Sequence, residues 1–237
     1  SASSIVVGIS PGGPAGQTDV ISLRGGSSQI FPGVVAESFG SADGVDTVRV
    51  AQRLYENHED SYDYLVIYNT AGVAAGTNAV ANEVTVRNYR QGIGDTQLDV
   101  GESYGSSYRL QAVLNMGPLS QYPLDPYARV GSRGAITGDN TMTILGHETG
   151  HLFLALASIR DPLNPSSRPM LGTQDAHWSF NFNSEASLLE GNRIQDNGTA
   201  VTTRFSTIAT VEGYAPLDQY LMGFRDPRDV PSTFLVR

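Results

Sequence analysis

The sequence predicts an α+β fold with a mixed-sheet lobe, one strong helix and a loop-rich C-terminal lobe. Three observations carry this. Helical spacing over residues 46–57 is followed at 62–68 by a compact apolar strand run, Tyr-Asp-Tyr-Leu-Val-Ile-Tyr, a succession that suits an α/β or α+β lobe. The strongest helix signal opens later, at Asp139-Asn140-Thr141. Beyond Pro162 the chain turns loop-like, with only short regular runs.

Taken in order, residues 5–9 and 20–23 are short β-like runs, punctuated by Pro11-Gly12-Gly13-Pro14 and Gly25-Gly26. The helix at 46–57 carries Val50, Leu54 and Tyr55 on its apolar side, with Asp46 or Thr47 as N-cap. Residues 83–87 alternate apolar and polar, and so do 108–116, which read as a strand. The strong helix is expected to run to about Ser158, ended by Asp161-Pro162. Short strands are expected at 178–182 and 199–205, and a last helix over 216–222 begins at a proline. Residues 232–237 read as a strand cut short, as in a piece of a longer chain. The whole is expected to be one domain, with an N-terminal lobe of about 1–158 and a C-terminal lobe of about 159–237.

Composition excludes several classes. The 237 residues are 40% hydrophobic and 16% charged, enough to bury a core and unlike a disordered chain. No apolar run approaches the roughly 20 residues of a membrane span. Net charge is −9, and no cluster of basic residues offers a nucleic-acid surface. All 15 basic residues are Arg, which hints at a GC-rich bacterial source. With no Cys, disulfides, thiolate catalysis and Cys-ligated zinc are excluded, and a secreted protein is suited. No signal peptide is visible at the N-terminus, which fits a processed start as well as a cytoplasmic one.

The informative segment is Gly146-His147-Glu148-Thr149-Gly150-His151. It matches H-E-x-x-H inside a predicted helix, where positions i and i+4 share a face and both imidazoles project into one space. Two His and a Glu buried without partners would cost several kcal/mol, roughly 2–7 per uncompensated group. A cation removes that cost. Two neutral imidazoles suit zinc, a catalytic zinc leaves one position for water, and Glu148 stands where it can take the proton of that water. The ligand set therefore fits metal-assisted hydrolysis, most often of a peptide bond.

On His147, Glu148 and His151 the chain resembles the zincin metallopeptidases. The resemblance covers one helix strictly and residues 108–223 loosely. It implies a zincin-like fold, a zinc-dependent endopeptidase acting on peptide or protein substrates, and an edge strand upstream of the helix along which substrate pairs; residues 108–116 are the candidate for that strand. The elongated metzincin signature is missing, since Leu154 and Ala157 stand where it requires Gly and His or Asp. Ser187-Leu188-Leu189-Glu190-Gly191-Asn192 is faintly similar to a Met-turn with Leu in place of Met, and Gly172-Thr173-Gln174-Asp175 falls one residue short of the aspzincin run. The segments 176–180, 190–192 and 216–223 together resemble a set found in uncharacterised secreted bacterial proteins assigned to the peptidases, a likeness that adds no mechanism. Two other readings stand beside the peptidase: a non-catalytic zincin-like metal-binding domain, and a metal-dependent amide or ester hydrolase.

The third ligand is expected to be His177. Of the four His, His58 lies upstream in a charged turn, which leaves His177 as the remaining imidazole. Glu185, Glu190, Asp161 and Asp175 are the alternatives, and a Glu ligand would make His177 an oxyanion stabiliser. Tyr214 and Tyr220 flank the last helix, where a hydroxyl could serve the oxyanion, though core packing is the plainer role for both. Asp196-Asn197-Gly198 reads as a turn rather than a calcium loop.

Overall fold

The structure, a computed structural model, describes residues 4–9, 27–31, 40–41, 44–56, 58–70, 72–77, 79–130 and 139–237. It divides into two compact units, Ser1–Tyr89 with Gln97–Pro123, and Arg90–Thr96 with Leu124–Arg237. The content is α+β, as expected.

The first unit is built on a five-stranded mixed sheet. Its strands are β1 (Ser4–Ile9), β2 (Ser27–Phe31), β5 (Tyr64–Asn69), β6 (Asn82–Thr85) and β9 (Ala112–Pro118), in the order β2-β1-β5-β9-β6. Four strands run parallel and β6 pairs antiparallel to β9. Two small hairpins complete it: β3 (Gly40–Ser41) with β4 (Gly44–Val45), and β7 (Arg87–Asn88) with β8 (Leu98–Asp99). β5 is a near-continuous apolar run because it lies inside the sheet with side chains buried on both faces. The expected helix is α1 (Thr47–Tyr55), with the Asp46 side chain accepting from the Arg49 amide at 3.1 Å. Val50, Ala51 and Leu54 bury its apolar face against Leu65, Ile67 and Val113.

The strand expected at 108–116 begins later, at Ala112, and it is not an edge. β9 pairs with β5 on one side and β6 on the other, so both rows of its backbone groups are spent within the sheet. Its buried side chains on both faces belong to an interior strand, and β6 takes the edge. The run expected at 20–23 lies outside the described residues.

The second unit holds α2 (Thr141–Gly150), the hairpin β10 (Asn192–Asp196) with β11 (Phe205–Thr210), and α3 (Pro216–Leu221). Asn140 caps α2 with a capping box: its side chain accepts from the Met142 and Thr143 amides at 2.9 Å, and the Thr143 hydroxyl accepts from the Asn140 amide. The helix stops at Gly150, eight residues before the expected end. Leu152, Leu154 and Leu156 recur every second residue, a spacing that no single helix face can bury. The chain instead turns, with the Phe153 and Leu154 amides on the Gly150 carbonyl and Ala155 left-handed, and so buries Leu152, Leu154 and Ala155.

α2 packs on residues 188–189 and belongs to the second unit, which places the division at 123/124 and not near 158. Two other expectations shift. Residues 178–182 form two isolated bridges and a turn rather than a strand, and β11 starts where the expected strand at 199–205 would end. Residues 232–237 likewise form only an isolated bridge, Phe182 to Leu235. The second core gathers Leu154, Met170, Trp178, Phe182, Leu188 and Leu189. No helix among the described residues is long and apolar enough to cross a membrane.

Candidate metal centre

α2 places His147 and His151 one turn apart on one face, with Glu148 between them in sequence and buried at 5% exposure. His177 arrives from a tight loop. The Gly172 amide donates to the His177 carbonyl at 2.8 Å, and a Cβ on Gly172 would stand 2.9 Å from the Trp178 carbonyl oxygen, so only glycine permits that closure. The result is a buried His177 facing the helix histidines. His177 Nε2 lies 3.2 Å from His147 Nε2, and His151 Nε2 lies 3.0 Å from His147 Nε2. Among the described residues these three form the one cluster able to hold a metal ion, with ligand atoms within 4.8 Å of one another.

The backbone sets the tautomers. His147 Nδ1 is 2.7 Å from the Leu188 carbonyl oxygen, and His177 Nδ1 is 2.9 Å from that of Thr173. A carbonyl only accepts, so each Nδ1 must carry the proton, and in the neutral ring each Nε2 is a lone pair. Two lone pairs 3.2 Å apart cannot bond each other. A proton on His151 Nε2 can serve one of them at a time, whereas a cation at the centre serves all three.

Burial holds His147 and His151 neutral. It is the main cause that lowers His147 to about 4, aided by His177 and opposed by the bond to Leu188. Burial also drives His151 down to about 2, with His147 and His177 adding to it. Both are unprotonated at neutral pH, the state in which imidazole is a ligand.

The segment 187–191 supports the site from below. Leu188 and Leu189 reach within 2.8–2.9 Å of where Cβ atoms on Gly146 and Gly150 would be, so α2 settles onto them only because both positions are glycine. The Trp178 amide donates to the Leu189 carbonyl at 3.0 Å, beside the Leu188 carbonyl that holds His147. Tyr214 donates its hydroxyl to the Gly146 carbonyl, and burial raises it to about 12.

The other candidates fall elsewhere. Glu185 pairs with Arg193 at 2.9 Å, Asp161 with Arg237 at 2.9 Å, and Glu190 is exposed where its charge helps to raise Asp139. Asp175 is exposed in the loop before His177. His58 is half-buried in the first unit. Tyr220 is 41% exposed and not a core residue. Asp196 accepts from the Gly198 amide and pairs with Arg204, as a turn residue. An open cavity of about 480 Å³ lies between Gly92, Gly94 and the 156–168 loop, and none of the three histidines lines it.

The carbonyls of Leu188 and Thr173 escape sequence reasoning because a backbone acceptor has no letter of its own. The glycines at 172 and 191 were the available signals of tight turns there. Compared with known proteins, the chain matches no family model, no curated protein and no solved structure.

Proposed function

We propose that this chain is a zinc-dependent endopeptidase of zincin-like fold, secreted by a bacterium, with His147, His151 and His177 as ligands and Glu148 as general base. The observation that carries the reading is the convergence of three Nε2 atoms, two with lone-pair character set by backbone carbonyls, beside a buried glutamate on the same helix. Zinc–nitrogen bonds of about 2.0–2.1 Å in a tetrahedron put ligand nitrogens about 3.3–3.4 Å apart. The separations of 3.0 and 3.2 Å are close to that span, and nitrogen ligands suit zinc better than calcium or magnesium.

Zinc, when bound, supplies Lewis acidity and makes a coordinated water acidic near pH 7. The chain's own residues do the rest. The carbonyls of Leu188 and Thr173 orient two of the rings and increase their basicity. Glu148 accepts the proton of the attacking water and delivers it to the leaving amine nitrogen. A structural metal site needs no carboxylate at this place, so the buried Glu148 favours a catalytic centre over a non-catalytic one.

The test is metal analysis of the purified chain with a quenched-peptide assay. Wild type should carry about one equivalent of zinc and lose activity to chelator. Glu148→Gln should keep the zinc and lose at least about 10²-fold in turnover. Wild-type rates in Glu148→Gln, or activity indifferent to chelator, would overturn the reading.

A further inference from the structure

Asp218, in the first turn of α3, is fully buried at 0% exposure. A carboxylate so placed is costly unless its oxygens are filled. Two hydrogen bonds fill them, Trp178 Nε1 to Oδ1 at 3.0 Å and the Ala215 amide to Oδ2 at 2.8 Å, and the Ser187 hydroxyl stands close enough to favour the charged carboxylate. They come from three segments, and each adjoins a part of the histidine cluster. Trp178 follows His177. Ser187 precedes Leu188, whose carbonyl takes the His147 Nδ1–H. Ala215 follows Tyr214, whose hydroxyl binds the carbonyl just before His147.

We propose that Asp218 is a positioning residue for the metal centre, tying the segments that carry His177, the Leu188 carbonyl and Tyr214 to one carboxylate; this rests on the metal-centre reading above. Capping α3 needs only the bond to Ala215. The indole bond, with the Ser187 hydroxyl beside the same carboxylate, does something else. The 177–178 and 187–189 segments already meet once, through the Trp178 amide and the Leu189 carbonyl. A single bond leaves a hinge, and Asp218 supplies the second joint that removes it. The distance between His177 Nε2 and His147 Nε2 is thereby fixed before any ion arrives.

Asp218→Asn preserves size but puts an amide donor where one of the two oxygens accepts, so the bond from Trp178 or the bond from Ala215 must break. Purified wild type and variant are titrated with cobalt(II), reading both affinity and the visible d–d bands that report coordination geometry. The variant should bind cobalt about 10–100-fold more weakly, the usual effect of losing a group that supports a ligand, with altered bands at saturation. Asp60→Asn, which breaks a polar network in the first unit, should lower the melting temperature and leave affinity and bands unchanged. Wild-type affinity and bands in Asp218→Asn would overturn the positioning role while the metal centre stood. Wild type that takes up no cobalt would overturn the metal centre, and this proposal with it. If Asp218→Asn does not fold, Trp178→Phe removes the indole donor alone from the carboxylate and is judged by the same readings.

Discussion

A neutral imidazole has one proton and one lone pair, and at His147 and His177 the backbone decides which nitrogen carries which. The same burial that exposes the lone pairs to a metal makes the metal-free site sensitive to acid. His147 stands near 4 and His151 near 2 in the folded chain, against about 6.5 in the unfolded one. Between those values the unfolded state binds more protons, so stability is fully present above about pH 6.5 and drains as pH falls through about 4. Thermal unfolding in chelator across pH 7 to 4 should show a falling midpoint, and His147→Gln should flatten the fall. An unchanged slope in the variant would place the acid response elsewhere. At this scale the sequence was readable where side chains carry the information: His147, Glu148 and His151 stand out by spacing, and His177 by being the imidazole left over. Asp218 was not readable, because one buried aspartate in a Pro-Leu-Asp-Gln run looks like any helix cap until Trp178 and Ser187 are seen to reach it.

The elements obey local rules at their starts and tertiary ones at their ends. Asp46, Asn140 and Pro216 all begin helices where their chemistry says they should. The end of α2 and the loops after it were harder, because seven non-glycine residues there and beyond are left-handed: Ala155, Gln174, Asp175, Glu185, Ala186, Glu190 and Val211. Each such residue costs roughly 1–2 kcal/mol, so propensity argues against every one, and only the surrounding packing enforces them. Gly150 tests how tightly α2 is seated. An alanine there would gain up to about 1 kcal/mol in helix propensity. Its Cβ, however, would lie 2.9 Å from Leu189 Cδ2 and 3.1 Å from Leu154 Cδ1, and both leucines are at 0% exposure with nowhere to retreat. Overpacking of that kind costs about 1–3 kcal/mol, so Gly150→Ala should be destabilising on balance, by about 1–2 kcal/mol. Urea unfolding measures it, and a midpoint raised by the substitution would mean that α2 is not held against Leu189 as described.

The two units have separate cores, one gathered on the sheet around Leu54, Leu65 and Val113, the other around Leu154, Trp178 and Leu189. Sequence reading placed the division near 158 because it followed the helix signal. The division instead follows burial: α2 sinks onto 188–189 and leaves the sheet lobe to end at Pro123. All three histidines lie in the second unit, and so do the carbonyls that orient His147 and His177. A ligand stabilises whatever must be folded to bind it, by about 4.1 kcal/mol when its concentration is a thousand times Kd. For this site that requirement covers α2, the 172–178 loop and the 187–191 segment, and no residue of the sheet. Amide hydrogen exchange with zinc or with chelator should therefore show a metal-dependent gain in protection across α2 and the segments 171–178 and 187–194. Amides in α1, β5 and β9, elements that share the first unit's sheet and its core of Val50, Leu54, Leu65, Ile67 and Val113, should exchange at the same rate in both. Equal protection of β5 and β9 would show that the two cores open as one cooperative unit, and the metal would then stabilise the whole molecule rather than the half that binds it.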